Sequence, residues 1–398
     1  MRILIMIHRQ ADNSPYCFYV HEQAKALRAQ GHDVAVISCV GVMPLMERFR
    51  PALAETDKRT PRKDVIDGIP VYFPRCLTLG NAGEKAIGGY LLYRAALPIA
   101  QKLHKEKPFD IVHAHMLPRD GHAGLLMSRA LGIPAALTVH GTDIFHYFIP
   151  GKEPWKRNIR IARDVDALMA VSSLLMSRVL PYRGEEKLSR VVQNGVDLSL
   201  VPTDERKKPH SVISVGTLKA RKCMDRTLEA FARLADEYPD ATLTIVGIGE
   251  MEGQLRARIG QLGLRERVIL TGGLPHEEVL RRMAQSDLFV LPSWGEGYGI
   301  VYIEAMAAGC IAVGTKNEGI ADTITDGENG FLVPAGDIDE TERVMRQVFA
   351  QPERYEALRR KGIQAARGLT WARNAEQTAE VYREAIEHWR KEHAQERH

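Results

Sequence analysis

Two carboxylates eight residues apart carry the strongest chemical signal in this chain: Glu296, in the run SWGEGYG, and Glu304, in the apolar stretch that follows. Gly295, Gly297 and Gly299 remove side chains around Glu296, so a ligand can approach the backbone amides there. Residues 300–308 read as a helix that begins just after this loop. Its orphan N–H groups and positive dipole end then face an anionic ligand. Carboxylates beside such a pocket suit paired sugar hydroxyls, which need acceptors. The competing reading is a glycine-rich turn with a glutamate favoured by the helix dipole alone. A second charged loop, VGTLKARKCMD at 215–225, offers Lys219, Arg221 and Lys222. A lysine there suits the charge that develops on a diphosphate leaving group. Histidines gather earlier, in DIVHAH (110–115), at His122 and in VHGTDIF (139–145). His113 and His115 share one strand face by period two. A metal site with His140 and Asp143 is one reading of them, and polar strand-end histidines that need no metal the other. DVD (164–166) and DID (337–339) read as a strand entry and a helix N-terminus rather than as metal ligands.

The elements that must position these groups alternate regularly. Short runs at 3–7 (β-branched and apolar), 34–38, 110–113, 135–139 and 167–171 read as strands, separated by helical patterns such as 19–30, closed by Gly31, and 121–131. The polar, proline-punctuated segment DLSLVPTDERKKPH (197–210) reads as a linker. Strand-like runs then restart at 212–215, 242–246, 268–270, 288–291 and 312–314, and residues 371–391 form a long helical tail. Strands separated by helices imply parallel sheets with right-handed crossovers, hence an α/β chain of two Rossmann-like domains. A ligand is expected in the cleft between them, at the carboxyl ends of strands. The length of 398 residues agrees with two domains.

Composition narrows the class. Hydrophobic residues at 45% and charged residues at 26% are ordinary for a folded chain. The opening MRILIMIHRQ lacks the features of a secretory signal, and no run approaches the roughly 18 apolar residues of a membrane span. Five scattered cysteines (17, 39, 76, 223 and 310) without CxxC spacing point to a reducing cytoplasm. The net charge of +4 is uneven, with 27 Lys/Arg against 19 Asp/Glu in residues 1–200, an excess of +8 that leaves −4 for the remainder. A basic first half suits an anionic acceptor or membrane surface, or is simply solvated.

The segment DLFVLPSWGEGYGIVYIEAMAAGCIAV resembles the strand, loop and helix of retaining glycosyltransferases of family 4, whose E-x7-E signature Glu296 and Glu304 match in spacing. VILTGGLPHEEV, NGVD (194–197) and DGENGFLVPAGD (326–337) extend the resemblance over nearly the whole chain, and it implies the GT-B fold. It divides the chain into an acceptor-binding domain (1–200), a nucleotide-sugar domain (201–370) and a C-terminal helix (371–398) that returns to the first. By resemblance, Glu296 contacts the donor sugar near its anomeric centre and Glu304 the nucleotide ribose. Gly297, Tyr298, Gly299 and Ile300 surround the sugar, Lys222 meets the diphosphate, and Gly216, Thr217 and Leu274 complete the donor pocket. His140 matches a histidine that contacts the donor sugar, with Asp143, His115 and Cys17 on the acceptor side.

The match has departures. Thr217 stands where the family has an arginine, Cys223 where it has a glycine after the lysine, and Cys17 where a glycine precedes the Phe/Tyr-Val run. The resemblance implies front-face transfer with retention, the departing phosphate oxygen taking the acceptor's proton. No cofactor or metal is expected. The implied partners are a nucleotide sugar and a glycan or lipid-linked acceptor of a bacterial surface-polysaccharide pathway, with no nucleic acid. Basic and apolar residues alternate in PLMERFR (44–50) and WKRNIRIAR (155–163), which suits weak attachment to an anionic inner membrane face. The alternatives are a nucleotide-sugar epimerase or hydrolase of the same fold, and a sugar-nucleotide binding protein that has lost catalysis. A nicotinamide dehydrogenase is disfavoured, because no GxGxxG follows the first strand.

Overall fold

Ile3 to Ile7 are fully buried along strand β1 (Arg2–His8), the continuous apolar pattern of a strand covered on both faces. The computed structural model describes residues 1–8, 16–43, 48, 51–78, 80–151, 154–202 and 204–395. They divide into two units, Met1–Gln193 with Trp371–His398, and Asn194–Thr370.

In the first unit β1 is followed by β2 (Asp33–Val42), β3 (Lys63–Ile66), β4 (Ile69–Tyr72), β5 (Arg75–Leu77), β6 (Ile111–His115), β7 (Ala135–Val139), β8 (Ala167–Ala170) and β9 (Ser189–Val191). Among the described residues these form one sheet, ordered β3-β4-β2-β1-β6-β7-β8-β9, with β5 beside β2. Only β3 and β4 run antiparallel. The chain moves from β1 to β2 on one side and later resumes with β6 on the other, so the strand order reverses between β1 and β6. Such a reversal leaves a crevice beyond the carboxyl ends of the two strands.

The helix Phe18–Ala29 buries Val20, Ala24 and Leu27, one face of a 3.6-residue repeat. It ends as the glycine signal requires: Gly31 takes φ 84°, and His32 N–H bonds the Leu27 carbonyl at 3.2 Å. The terminal helix Trp371–Gln395 returns to this unit and buries Ala375, Ala379, Tyr382 and Ile386. Gln23 Nε2 donates to Asn374 Oδ1 at 2.8 Å and to Thr378 Oγ1 at 3.2 Å, fixing how the two helices meet.

The second unit contains β10 (Lys208–Val215), β11 (Thr242–Val246), β12 (Val268–Leu270), β13 (Ser286–Val290), β14 (Ile311–Thr315) and β15 (Phe331–Val333), all parallel, in the order β12-β11-β10-β13-β14-β15. Here the order reverses between β10 and β13. The unit begins at Asn194 rather than at 201, because Val196 N–H bonds the Leu369 carbonyl at 2.9 Å and bridges Thr370. The last residues of the expected linker belong to β10, which starts at Lys208. Among the described residues no helix is long and apolar enough to cross a membrane.

Tyr382 also sends its hydroxyl to His113 Nδ1, 2.6 Å away in the sheet. Tyr382→Phe keeps the packed ring but strips a fully buried imidazole of that partner, so unfolding stability should fall by about 1–3 kcal/mol. Urea denaturation should show a lower midpoint with an unchanged slope.

Candidate active site

In the second unit the reversal between β10 and β13 is filled by two loops. The chain leaves β13 into residues 292–299 and then enters the helix Ile300–Ala307. Gly299 caps that helix at φ 85°, and a Cβ on it would lie 2.5 Å from the Tyr302 ring, so only glycine makes this turn. Glu296 points at the loop after β10, where Lys222 Nζ bonds its Oε2 and Arg221 Nη1 lies 3.5 Å away. Lys222 is 8% exposed, so this ammonium sits out of bulk water and depends on its carboxylate partner.

A residue that the sequence reading passed over fixes the loop. Glu318 accepts from Gly295 N–H at 2.9 Å and from Glu296 N–H at 2.7 Å, one carboxylate oxygen to each. Gly319 N–H then bonds the Glu296 carbonyl at 3.2 Å, and a Cβ on Gly319 would meet the Gly297 carbonyl oxygen at 2.1 Å. With those two amides taken, the N–H groups of Gly297, Tyr298, Gly299 and Ile300 have no hydrogen-bond acceptor among the described residues. They form the anion-ready start of the helix. The Tyr298 side chain is turned inward, 2% exposed with its hydroxyl 3.1 Å from Thr323 Oγ1, which leaves only its backbone for a ligand.

Glu304 lies one turn into the same helix, and its Oε1 is 2.8 Å from His276 Nε2. His276 opens the helix His276–Gln285 just after the half-buried Leu274, so the pair joins the loop after β12 to the loop after β13. Gly216 and the exposed Thr217 begin the loop after β10. Cys223 adopts φ 53° at the N-terminus of the helix Met224–Ala232. That left-handed conformation is the physical reason a glycine is favoured at this position.

The first unit assembles the histidines at the ends of β6 and β7. His113 is enclosed, with Nε2 on Thr138 Oγ1 at 2.8 Å and Nδ1 on the Tyr382 hydroxyl. His115 Nδ1 lies 3.0 Å from Nε2 of half-buried His140, whose ring packs 4.2 Å from that of Tyr19. Burial pushes the imidazoles of His113 and His140 down to about 3, and that of His115 well below its usual value, so all three are neutral at pH 7. Asp143 accepts from the backbone amides of His140, Gly141 and Leu117, at 3.1, 2.8 and 3.0 Å. Burial raises its carboxyl against the pull of those amides. Both its oxygens are therefore committed to holding the loop after β7. Among the described residues no group of three or more His, Cys, Asp or Glu is arranged to hold a metal ion.

Cys17 is a correction to the acceptor-side set. It is 2% exposed at the start of the helix Phe18–Ala29 and belongs to the apolar core with Ile7, Tyr16 and Val20, so its thiol lines no open surface. The basic–apolar run 44–50 lies, apart from Arg48, outside the described residues. Asp166 accepts from Ala135 N–H at 2.7 Å where β8 begins, and Asp337 caps the helix Ile338–Ala350 through Glu340 N–H at 3.0 Å. Glu318, His276 and Tyr382 were missed because nothing adjacent to them in sequence marks a contact 22, 28 or 269 residues away.

Comparison with known proteins also divides the chain in two, with the matched parts meeting near residue 200. Residues 18–200 match the family "Glycosyltransferase Family 4" and residues 199–365 match "Glycosyl transferases group 1". The chain is 27% identical to a glycogen synthase of Mycobacterium tuberculosis over 391 residues, covering 92% of this chain and 89% of that one. Among solved structures, a sucrose-phosphate synthase from Thermosynechococcus elongatus superposes with a TM-score of 0.76 at 18% identity, covering 96% and 98% of the two chains. Anabaena HepE, solved with UDP and glucose, gives a TM-score of 0.69 at 20% identity, with 96% and 99% covered.

Glu318→Ala leaves two loop amides without their acceptor, and stability should fall by about 1–3 kcal/mol in chemical denaturation. Glu318→Gln retains one acceptor oxygen and should recover part of the loss. Equal stability of Glu318→Ala and the parent protein would show that the clamp does not hold the loop.

Proposed function

We propose that this chain, a glycosyltransferase of GT-B architecture, moves a sugar from a nucleoside-diphosphate donor held by its second unit to a glycan or lipid-linked acceptor held by its first, with retention of anomeric configuration. The observation that carries the reading is the meeting of Lys222 and Glu296 where the strand order reverses, beside four unengaged amides. The ammonium and the helix start supply positive potential for a diphosphate, and the carboxylate supplies an acceptor for sugar hydroxyls. Glu304, bonded to His276, is suited to the ribose hydroxyls. Gly216, Thr217 and Leu274 edge the donor pocket, while His140, His115 and the loop braced by Asp143 belong to the acceptor unit. The binding of UDP and glucose by HepE supports a nucleotide-sugar donor, and glycosyltransferase relatives favour transfer over epimerisation or simple binding. Lys222, Arg221 and the helix dipole are assigned the leaving-group charge, with no metal required.

A panel of nucleotide sugars should first be screened by thermal shift, since a bound donor stabilises by mass action. With the donor so found, product NMR should show the donor's anomeric configuration, and EDTA should leave the rate intact. Glu296→Gln should lower kcat by about 100-fold with the fold intact, while Glu304→Ala should mainly raise the Kd for the nucleotide. Full turnover by Glu296→Gln, or an inverted product, would defeat the corresponding assignment.

The acceptor is proposed to be anionic or membrane-borne, in the manner of a surface-polysaccharide intermediate. On the helix Trp155–Asp164, Asn158, Ile161 and Ala162 face inward, while Lys156, Arg160 and Arg163 are exposed. Co-sedimentation with anionic liposomes should be visible at low salt and fade as screening rises. Absence of binding at low salt would remove the membrane and leave the transferase.

A further inference from the structure

Ile248, the second residue beyond β11, is 64% exposed at the carboxyl edge of the second sheet. A single apolar side chain in water is ordinary. This one is set apart by how firmly its backbone is held. Leu218 N–H donates to the Ile248 carbonyl at 2.9 Å, and Met251 N–H donates to the Leu218 carbonyl at 3.0 Å. Gly247 N–H donates to the Gly272 carbonyl at 2.9 Å, which ties the same turn to the loop after β12.

The glycines on either side show how closely the loops are joined. A Cβ on Gly247 would run into the Gly216 carbonyl oxygen, and one on Gly249 into that of Leu218. Only residues without a side chain let the turn after β11 lie against the loop after β10. On the other side, a Cβ on Gly273 would be in ordinary contact with Ile248 Cγ2, at 3.7 Å. The isoleucine side chain therefore lies beside Gly273, itself exposed, and the loops after β10, β11 and β12 share one packed corner.

On the donor reading above, Lys222 and Glu296 mark the diphosphate and the sugar at the reversal between β10 and β13, and Glu304 with His276 marks the ribose. His276 opens the helix that follows the loop after β12, and the strands run in the order β12-β11-β10-β13. A nucleotide laid from the reversal through that pair continues toward the edge formed by β11 and β12. We propose that Ile248 is the apolar wall against which the donor's nucleobase lies, with the backbone of Gly273 and half-buried Leu274 beside it. The assignment rests on the nucleotide-sugar reading.

The chemistry of the corner decides the kind of grip it gives. A nucleobase has two flat faces and a polar edge. Ile248 offers hydrocarbon with neither donor nor acceptor, so its contribution follows the area of the face it covers, whichever base is present. Selection among bases then falls to the polar backbone of the loop after β12, while Ile248 sets how much more tightly a nucleotide binds than its phosphates alone. Bonds and glycine contacts internal to the unit hold the turn, so the contact needs no ligand to order it.

The test is calorimetric titration of the full chain with UDP, GDP and ADP, and with inorganic pyrophosphate as the probe that lacks a base. Ile248→Ala should raise the Kd of the nucleotide that the parent protein binds most tightly by about tenfold, and leave that of pyrophosphate within about twofold. Ile248→Leu, which keeps the hydrocarbon, should stay within about threefold of the parent protein. The side chain stands largely in water, so thermal unfolding of Ile248→Ala should match the parent protein, which separates a binding role from a structural one. An unchanged nucleotide Kd in Ile248→Ala, or nucleotide and pyrophosphate weakening together, would overturn the wall. So would a parent protein that binds pyrophosphate as tightly as any nucleotide. Binding of none of the three nucleotides by the parent protein would instead overturn the nucleotide-donor reading, and the wall with it.

Discussion

A parallel sheet can hold a ligand only where its crossovers part, and this chain contains two such places. In the first unit the order reverses between β1 and β6, and in the second between β10 and β13. At each, the strands' carboxyl ends lack a crossover segment above them, and polar side chains can converge without disturbing the ladder below. Lys222 and Glu296 meet at one reversal, His8 and Asp120 at the other. Both pairs join residues far apart in sequence. The rest of each unit is the apolar scaffold that keeps these ends in place, with Ile3, Ile5, Val212, Leu288 and Phe289 at 1% exposure or less.

Much of this was legible from residue types. Continuous apolar runs matched β7 and β11 to the residue and β1 and β13 to within two, because a strand buried on both faces leaves a pattern that needs no partner to be recognised, whereas β2 runs four residues past the expected 34–38. Glycines did the same for the loop after β13. Gly299 is demanded by its positive φ and by the ring of Tyr302 behind it, so the glycine spacing around Glu296 recorded a real backbone constraint. The resemblance added an expected role for each carboxylate, which spacing alone does not contain.

What stayed hidden were side chains whose roles come from tertiary approach. Glu318 sits in a segment, TKNEGIAD, that reads as an ordinary polar turn; its two bonds to the loop amides appear only when β14 brings it alongside β13. The three-residue strands β9 and β15 were not read, although β12, equally short, was. Cys17 failed in the opposite direction: a motif position suggested a ligand-facing residue, yet the first turn of the helix Phe18–Ala29 packs it into the core. The family's glycine there reports on backbone approach, and a small apolar thiol turned inward is compatible with the same helix start.

The row of neutral histidines shows how the two ends of the chain are made interdependent. An imidazole buried in a sheet must have both nitrogens matched or bear the cost of a lost hydrogen bond. His113 meets this with Thr138 on one side and, on the other, a hydroxyl from residue 382. Its ring lies 4.1 Å from that of His115, which in turn bonds half-buried His140 just after β7. The terminal helix therefore does more than cover apolar area. Through Tyr382 it gives the buried His113 Nδ1 a hydrogen-bond partner, and His113 in turn packs on the ring of His115. Without the terminal helix, Nδ1 of the enclosed His113 would lose its hydroxyl partner. That requirement is a physical reason for the chain to return to its first unit after completing the second.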